Sequence, residues 1–249
     1  MSRSYYSEGL LEFLTADNES ILGNLTKNHA FSLDEKQRDA WIQQILILKK
    51  QLSKFDSGQI LFEYSIPRMG KRVDVIFIHS GLAFVIEFKK SDAYNKSDVD
   101  QCLDYALDLK NFHAESHHIP LIPILLSTNA SDFENTYERF EDGIFKPIKD
   151  NGKNLEEIIN KIDQLEEANI LITAIELRIF SILDKQFMSA KKIAEAAKTQ
   201  LDGTELLLNA LSSMGVLIKN FKKYKNTRIT YKYLCESSPN FKKGTMMLK

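Results

Sequence analysis

Asp74, Glu87 and Lys89 are the residues whose types and spacing could do chemistry. Asp74 lies inside the apolar run Arg72-Val-Asp-Val-Ile-Phe-Ile78. A carboxylate there is costly to bury unless it is paired or holds a metal. Glu87 and Lys89 lie two apart in Phe84-Val-Ile-Glu-Phe-Lys89, so a strand projects both from one face and sends Ile86 and Phe88 to the other. If the two runs pair as a hairpin, Asp74 comes close to Glu87. Two carboxylates on neighbouring strands make an oxygen-ligand site suited to Mg2+ or Mn2+. Such an ion polarises a phosphate and lowers the pKa of bound water. A lysine beside it can orient that water or stabilise the developing charge. The chemistry implied is phosphodiester hydrolysis.

The elements that must position these residues are legible around them. Trp41, Ile42, Ile45, Leu46, Leu48 and Leu52 recur at roughly helical spacing over Asp34–Leu52, with Ser32 or Asp34 as cap. Ile60–Ile66, Arg72–Ile78 and Leu82–Phe88 are β-rich runs. Pro67-Arg-Met-Gly70 divides the first two, and His79-Ser-Gly81 divides the second pair with a connection short enough for a tight hairpin. A helix over Ser97–Phe112, with Cys102, Leu103, Ala106 and Leu109 on its apolar side, precedes a strand at Leu121–Ser127. Asn154–Leu165 reads as a closing helix, and Ser7–Asn18 as a leading amphipathic stretch packed through Leu10, Leu11 and Leu14.

Asp74…Glu87-Phe-Lys89 resembles the PD-(D/E)xK phosphodiesterase signature, with Val73 in place of the proline, and helix–β–β–β–helix–β is similar to that family's core. Gln101-Cys-Leu-Asp-Tyr105 resembles the QxxxY motif of RecB-type nucleases, and its two polar residues share a helix face. The resemblance implies that Gln101 and Tyr105 border the active site and help place a nucleic-acid strand, with Glu63 as an extra metal ligand. It narrows to the N-terminal domain of large bacterial proteins that carry a Schlafen-like helicase region. No GxxxxGK[ST] phosphate loop occurs, so no NTPase is expected in this sequence. Arg68, Lys71 and Arg72 flank the site and read either as phosphate contacts or as a solvated turn. His113, His117 and His118 lack partner cysteines and read as a solvated helix end.

Beyond Leu165 the texture is helical: Ile170–Leu183, Ser189–Ala197 capped by Ser189, and Asp202–Met214 with Asp202 and Glu205 in capping-box spacing and Gly215 at its end. Val216–Ile218 and Arg228–Tyr233 read as two strands around a basic turn, which gives the winged-helix order. Ala174-Ile-Glu-Leu-Arg-Ile-Phe-Ser-Ile-Leu-Asp184 and Leu206-Leu-Leu-Asn-Ala-Leu-Ser-Ser-Met-Gly-Val-Leu217 resemble the winged-helix dimerisation domain of small-molecule O-methyltransferases. In that family a methyl-donor-binding domain follows, and no glycine-rich nucleotide loop is found here. The leucines of Asp202–Met214 suit packing better than base readout.

Bulk properties set the frame. Of 249 residues, 43% are hydrophobic and 27% charged, enough for real cores and unlike a disordered chain. The net charge of −1 conceals 19 Lys and Arg against 26 Asp and Glu up to Leu165, a balance of −7, and 14 against 8 afterwards, a balance of +6. Two dissimilar domains are expected, 1–165 and 166–249. No apolar run approaches the roughly 18 residues of a membrane span, and Met1-Ser-Arg-Ser-Tyr-Tyr lacks a signal-peptide core. Two distant cysteines, Cys102 and Cys235, suit a reducing cytoplasm. The expectation is therefore an α/β protein with a PD-(D/E)xK restriction-endonuclease-like core followed by a small winged helix. It would be a Mg2+-dependent (or Mn2+-dependent) deoxyribonuclease acting on DNA, homodimeric through 166–249, and served by a separate helicase or methyltransferase chain. The alternatives are a non-catalytic nucleic-acid-binding or dimerisation protein with a relict nuclease fold, and a methyltransferase fragment lacking its methyl-donor domain.

Overall fold

The computed structural model describes residues 3–29 and 34–242, which are mixed α/β and divide into two compact units, 1–160 and 161–249. Ser32, one of the two expected caps, lies outside the described residues.

The first unit runs β1 (Tyr6–Gly9), α1 (Leu10–Thr15), α2 (Asn18–Asn28), α3 (Glu35–Leu52), β2 (Gln59–Ser65), β3 (Arg72–His79), β4 (Leu82–Lys89), α4 (Lys96–Phe112), β5 (Leu121–Ser127) and β6 (Ile148–Asp150). Its six strands lie in chain order in one sheet. β1 to β4 form an antiparallel meander, while β4–β5 and β5–β6 are parallel. The sequence order helix, three strands, helix, strand is present as α3, β2, β3, β4, α4, β5. All seven residues of β5 are buried, as a strand covered on both faces requires. β3 and β4 meet at Ser80-Gly81, whose φ angles of 51° and 79° are those of a two-residue hairpin loop twisted to match its strands.

One sheet face packs on α4 through Ile76, Ala83 and Val85 against Tyr105, Ala106 and Leu109. Asp34 caps α3, its side chain accepting from the Lys36 amide. The buried stripe of α3 is Trp41, Gln44, Ile45, Leu48 and Leu52, whereas the expected Leu46 is 53% exposed. The leading segment also departs from expectation. It is a short strand and helix that bury Leu10 and Phe13, with Leu11 turned to solvent. α2, unforeseen, is capped by Asp17, which accepts from the Glu19 and Ser20 amides, a bond worth about 1 kcal/mol.

Helix α5 (Leu155–Glu176) runs on past the expected end at Leu165. The second unit continues with α6 (Ile179–Leu183), β7 (Met188–Ser189), α7 (Ala190–Ala197), α8 (Leu201–Ser213), β8 (Leu217–Asn220), β9 (Lys223–Asn226) and α9 (Arg228–Leu234). Its core joins Phe180, Leu183, Ile193, Leu208, Leu211, Leu217 and Tyr224. Ser189 caps α7 as expected. α8 begins at Leu201 behind Gln200, with no side-chain cap, so Asp202 does not cap it. The hairpin strands also differ. The basic segment expected as a turn is itself β9, and Arg228–Tyr233 is helical because the Thr227 side chain accepts the Thr230 amide and starts α9. β7 pairs with β9, giving the strand order β7-β9-β8. No helix among the described residues is long and apolar enough to cross a membrane.

Gly58, just before β2, has φ of 151°, and a Cβ there would lie 2.7 Å from the Phe77 ring and 2.9 Å from the Ile78 carbonyl. Both neighbours belong to a packed strand that cannot yield. Gly58→Ala is therefore expected to lower stability by about 1–3 kcal/mol, read as a fall in the urea midpoint at unchanged slope.

Candidate functional site

Strand register creates the site. Val75 pairs with Ile86 and Phe62 with Val75, so continuing both ladders by one residue sets Glu63, Asp74 and Glu87 side by side on three strands. Alternation carries Lys89 to the same face as Glu87. α4 then lays Gln101 and Tyr105 over that face. The Lys89 Nζ donates to Glu87 Oε1 at 3.0 Å and to Gln101 Oε1 at 3.1 Å. The Gln101 amide nitrogen donates to the same Glu87 oxygen at 3.2 Å and to the Tyr105 hydroxyl at 2.6 Å. Asp74 Oδ2 accepts the Phe88 amide at 2.8 Å. Four of the five residues expected at the centre of the site, Glu87, Lys89, Gln101 and Tyr105, are thus one connected group, and Asp74 is held beside them by the Phe88 backbone.

Glu63 is brought near but turned away. Its φ of 53° takes it out of the strand ladder. Trp41 Nε1 donates to its Oε1 at 2.8 Å, and Gln37 donates to the same oxygen at 3.3 Å. Arg72 Nε stands 3.4 Å from its other oxygen. Lys71 is bonded to Asp108 at 2.8 Å, and the Arg72 guanidinium lies 4.7 Å from the Tyr5 ring centre. Of the three basic residues expected to meet phosphates, Lys71 and Arg72 are therefore paired with Asp108 and Glu63 while staying partly exposed, and Arg68 is exposed at a left-handed turn position. His113 closes α4 and bonds Ser116 at 2.7 Å.

A cavity of about 530 Å3 opens on Asp74, Glu87 and Lys89. Its opposite wall is α3, through Lys36, Gln37, Gln43 and Gln44, with Thr128 at one side. Sequence reasoning missed this wall, although a signal existed. Gln44 occupies a position of the Trp41, Ile45, Leu48 stripe where every neighbour is apolar, and it is 4% exposed. Its Oε1 and the Glu87 Oε2 are buried acceptors without a hydrogen-bond partner.

The electrostatics follow from packing two acids in one poorly solvated place. Burial, then the Glu87 charge, holds the Asp74 pKa well above the ordinary carboxylate range, and the Phe88 amide offsets this only in part. Burial also raises Glu87, against the stabilising Lys89. For Lys89, burial disfavours the ammonium, but Glu87 and Asp74 outweigh it and the pKa rises. Burial raises the Tyr105 phenol.

This donor set does not fit the expected Mg2+ or Mn2+. The expected site relies on three carboxylates, with waters completing the shell of the ion. Here Glu63 is committed to Trp41, Gln37 and Arg72, Glu87 Oε1 to Lys89 and Gln101, and one Asp74 oxygen to a backbone amide. No group of three or more His, Cys, Asp or Glu among the described residues could hold a metal.

The comparisons turn attention to the other end of the chain. The O-methyltransferase dimerisation domain family matches residues 149–236. No curated protein matches. Similar solved structures include human N-acetylserotonin methyltransferase in complex with SAM, 24% identical over 36% of this chain and 28% of that one, at a TM-score of 0.33. PigF with SAH is 26% identical over 34% and 25%, also at 0.33. A putative O-methyltransferase from Nostoc punctiforme PCC 73102 is 20% identical over 34% and 26%, again at 0.33. The chain thus spans about a quarter of the length of these proteins, and scores of this size carry no argument about the whole fold.

The expected magnesium-dependent deoxyribonuclease is corrected accordingly. The family match is to a methyltransferase domain and no nuclease accompanies it. DNA as a partner finds no support in these matches.

The raised carboxylate pKa values set a pH test. A group whose pKa is raised by folding adds stability below its unfolded value and loses it as pH rises through the folded one. The native protein should therefore weaken from about pH 4 upward on account of Asp74. Asp74→Asn keeps an oxygen for the Phe88 amide and removes the charge. Its melting temperature should exceed that of the native protein by a few degrees at neutral pH, and the difference should vanish at about pH 4. Thermal melts across that range check it.

Proposed function

We propose that the protein acts as a homodimer paired through residues 166–249, and serves as the dimerising component of a methyltransferase system. The match of residues 149–236 to the O-methyltransferase dimerisation domain carries this reading. Exposed apolar side chains of the second unit are consistent with it. Leu165 and Ile172 are seven apart on α5, hence on one face, at 37% and 51% exposure, and Leu206 on α8 is 70% exposed. A symmetric pair formed on such residues would bury them as a core is buried.

In this reading the first unit is a binding unit on a relict nuclease-type core. The specific support is its hydrogen-bond network, in which Lys89 and Gln101 satisfy Glu87 Oε1, Tyr105 holds Gln101, and Glu87 Oε2 and Gln44 Oε1 stay buried without partners in two residues that line the cavity. Such a site favours a small ligand that donates hydrogen bonds.

Sedimentation equilibrium of the full chain should return twice the 28.6 kDa chain mass. Ile172→Glu and Leu206→Glu should each shift the population toward monomer, because a charge buried in an apolar interface costs several kcal/mol. A native protein that stays monomeric at micromolar concentration would sink the proposal.

A further inference from the structure

The β8–β9 hairpin carries a feature that neither dimerisation nor the first unit uses. From Leu217 to Lys232 there are six cations, Lys219, Lys222, Lys223, Lys225, Arg228 and Lys232, and no acid. None of the six takes part in an ion pair among the described residues. The inner face of the hairpin is committed to the fold through Leu217, Tyr224 and Asn226, and the Lys219 amino group turns back to Asn209. The outer face is free of such duties. Ile218 stands across from Lys225 and Asn220 across from Lys223, and the Lys225 Nζ lies 5.4 Å from the Phe187 ring centre.

The tip is more unusual. The two-residue loop is Phe221-Lys222, and Phe221 has φ of 51° with 93% of its surface exposed. Hairpin loops that need a positive φ ordinarily place glycine, asparagine or aspartate there. A bulky aromatic in that conformation is an outlier that strains the backbone. Phe221 buries almost nothing, so nothing inside the chain offsets the strain.

We propose that the outer face of this hairpin binds single-stranded nucleic acid, with Phe221 stacked on an unpaired base and Lys222, Lys223 and Lys225 on the phosphates. Lys222, Lys223 and Lys225, in a hairpin without an acid, favour a polyanion. Lys223 and Lys225, two residues apart on a strand, stand about 6.8 Å apart, a spacing that suits successive phosphates of an extended strand. A duplex would engage the lysines but leave the aromatic tip idle, whereas a single strand offers the face of every base. On the outer face Lys223 stands across from Asn220 and Lys225 across from Ile218, with the Lys225 Nζ against the Phe187 ring, so cations and flat or apolar groups share one surface, as a strand of phosphates and bases requires.

The test is fluorescence anisotropy of a labelled oligothymidylate with the full chain at low salt. Saturable binding is expected. Phe221→Gly should weaken it about tenfold while raising the melting temperature, since glycine relieves the strain and no packing is lost. A merely structural Phe221 would not separate the two readouts in this way. Lys222→Glu with Lys223→Glu should weaken binding further and flatten the plot of log affinity against log salt by about 0.7 for each cation removed. Absence of binding, or binding that ignores these substitutions, would overturn the proposal. So would capture of phosphatidylserine-containing vesicles without capture of the oligomer. A double variant whose sedimentation departs from that of the native chain would assign the face to pairing of the protein and overturn it as well.

Discussion

Two carboxylates held side by side across the β3–β4 hairpin govern the first unit, because everything around them answers the cost of keeping them there. The register that buries Val75, Phe77, Phe84 and Ile86 in the core leaves no freedom to move Asp74 away from Glu87. A slip by one residue would exchange the buried and polar faces of both strands. The charge must therefore be met in place. Lys89 supplies the counter-ion, Gln101 fixes the lysine and the carboxylate together, and Tyr105 fixes Gln101. Asp74, which lacks a cation of its own, responds by a strong rise in pKa. The same cost explains Glu63. A third acid in the row would raise the repulsion again, and the backbone takes a left-handed conformation that hands its side chain to Trp41 and Arg72 instead.

The second unit solves a different problem. Its sheet has three small strands, and several apolar side chains, Ile172 on α5 and Leu206 on α8 among them, stay exposed. Local capping does part of the work. Ser189 and Thr227 start helices, and Lys198 ends α7 in a left-handed turn that satisfies two carbonyls. The remainder, on α5 and α8, is the kind of surface that a second copy would cover. This surface is the one that the proposed pairing of two copies would cover, and the match of 149–236 to a dimerisation domain agrees with it.

Sequence reasoning succeeded where local rules and tertiary packing agree. The runs around Asp74 and Glu87 were legible as strands because apolar residues filled them between turn residues, and Ser80-Gly81 marked their junction. The i, i+4 spacing of Gln101 and Tyr105 gave their common face. Failure came where the deciding contact is tertiary or is a cap. Glu63 reads as a third ligand until the Trp41 indole is seen to hold it. Arg228–Tyr233 has the β-branched and aromatic texture of a strand, yet a single hydroxyl, that of Thr227, starts a helix. The α3 wall of the cavity was hidden because a polar residue in an apolar stripe, Gln44, gives a weak signal in a single sequence. The expectation of metal chemistry failed for a related reason. Residue types and spacing specify which carboxylates meet, but not how many of their oxygens remain uncommitted once lysine, glutamine and amide donors have taken their share.

The charge asymmetry of the chain acquires a physical meaning when the two units are weighed separately. The first, with its acidic balance and its carboxylates raised toward neutrality, exerts no long-range attraction on a polyanion. The second concentrates its cations in one sixteen-residue stretch without a single acid. A chain that gathered anions at the first site would have to overcome its own field, whereas the hairpin works with its field. Pairing strengthens the distinction, since a dimer presents two such hairpins. Two modest contacts on one particle bind a long strand far better than either does alone, provided the strand can reach both. If both proposals hold, pairing and the basic hairpin would be coupled through effective concentration, and neither would need the other to be strong.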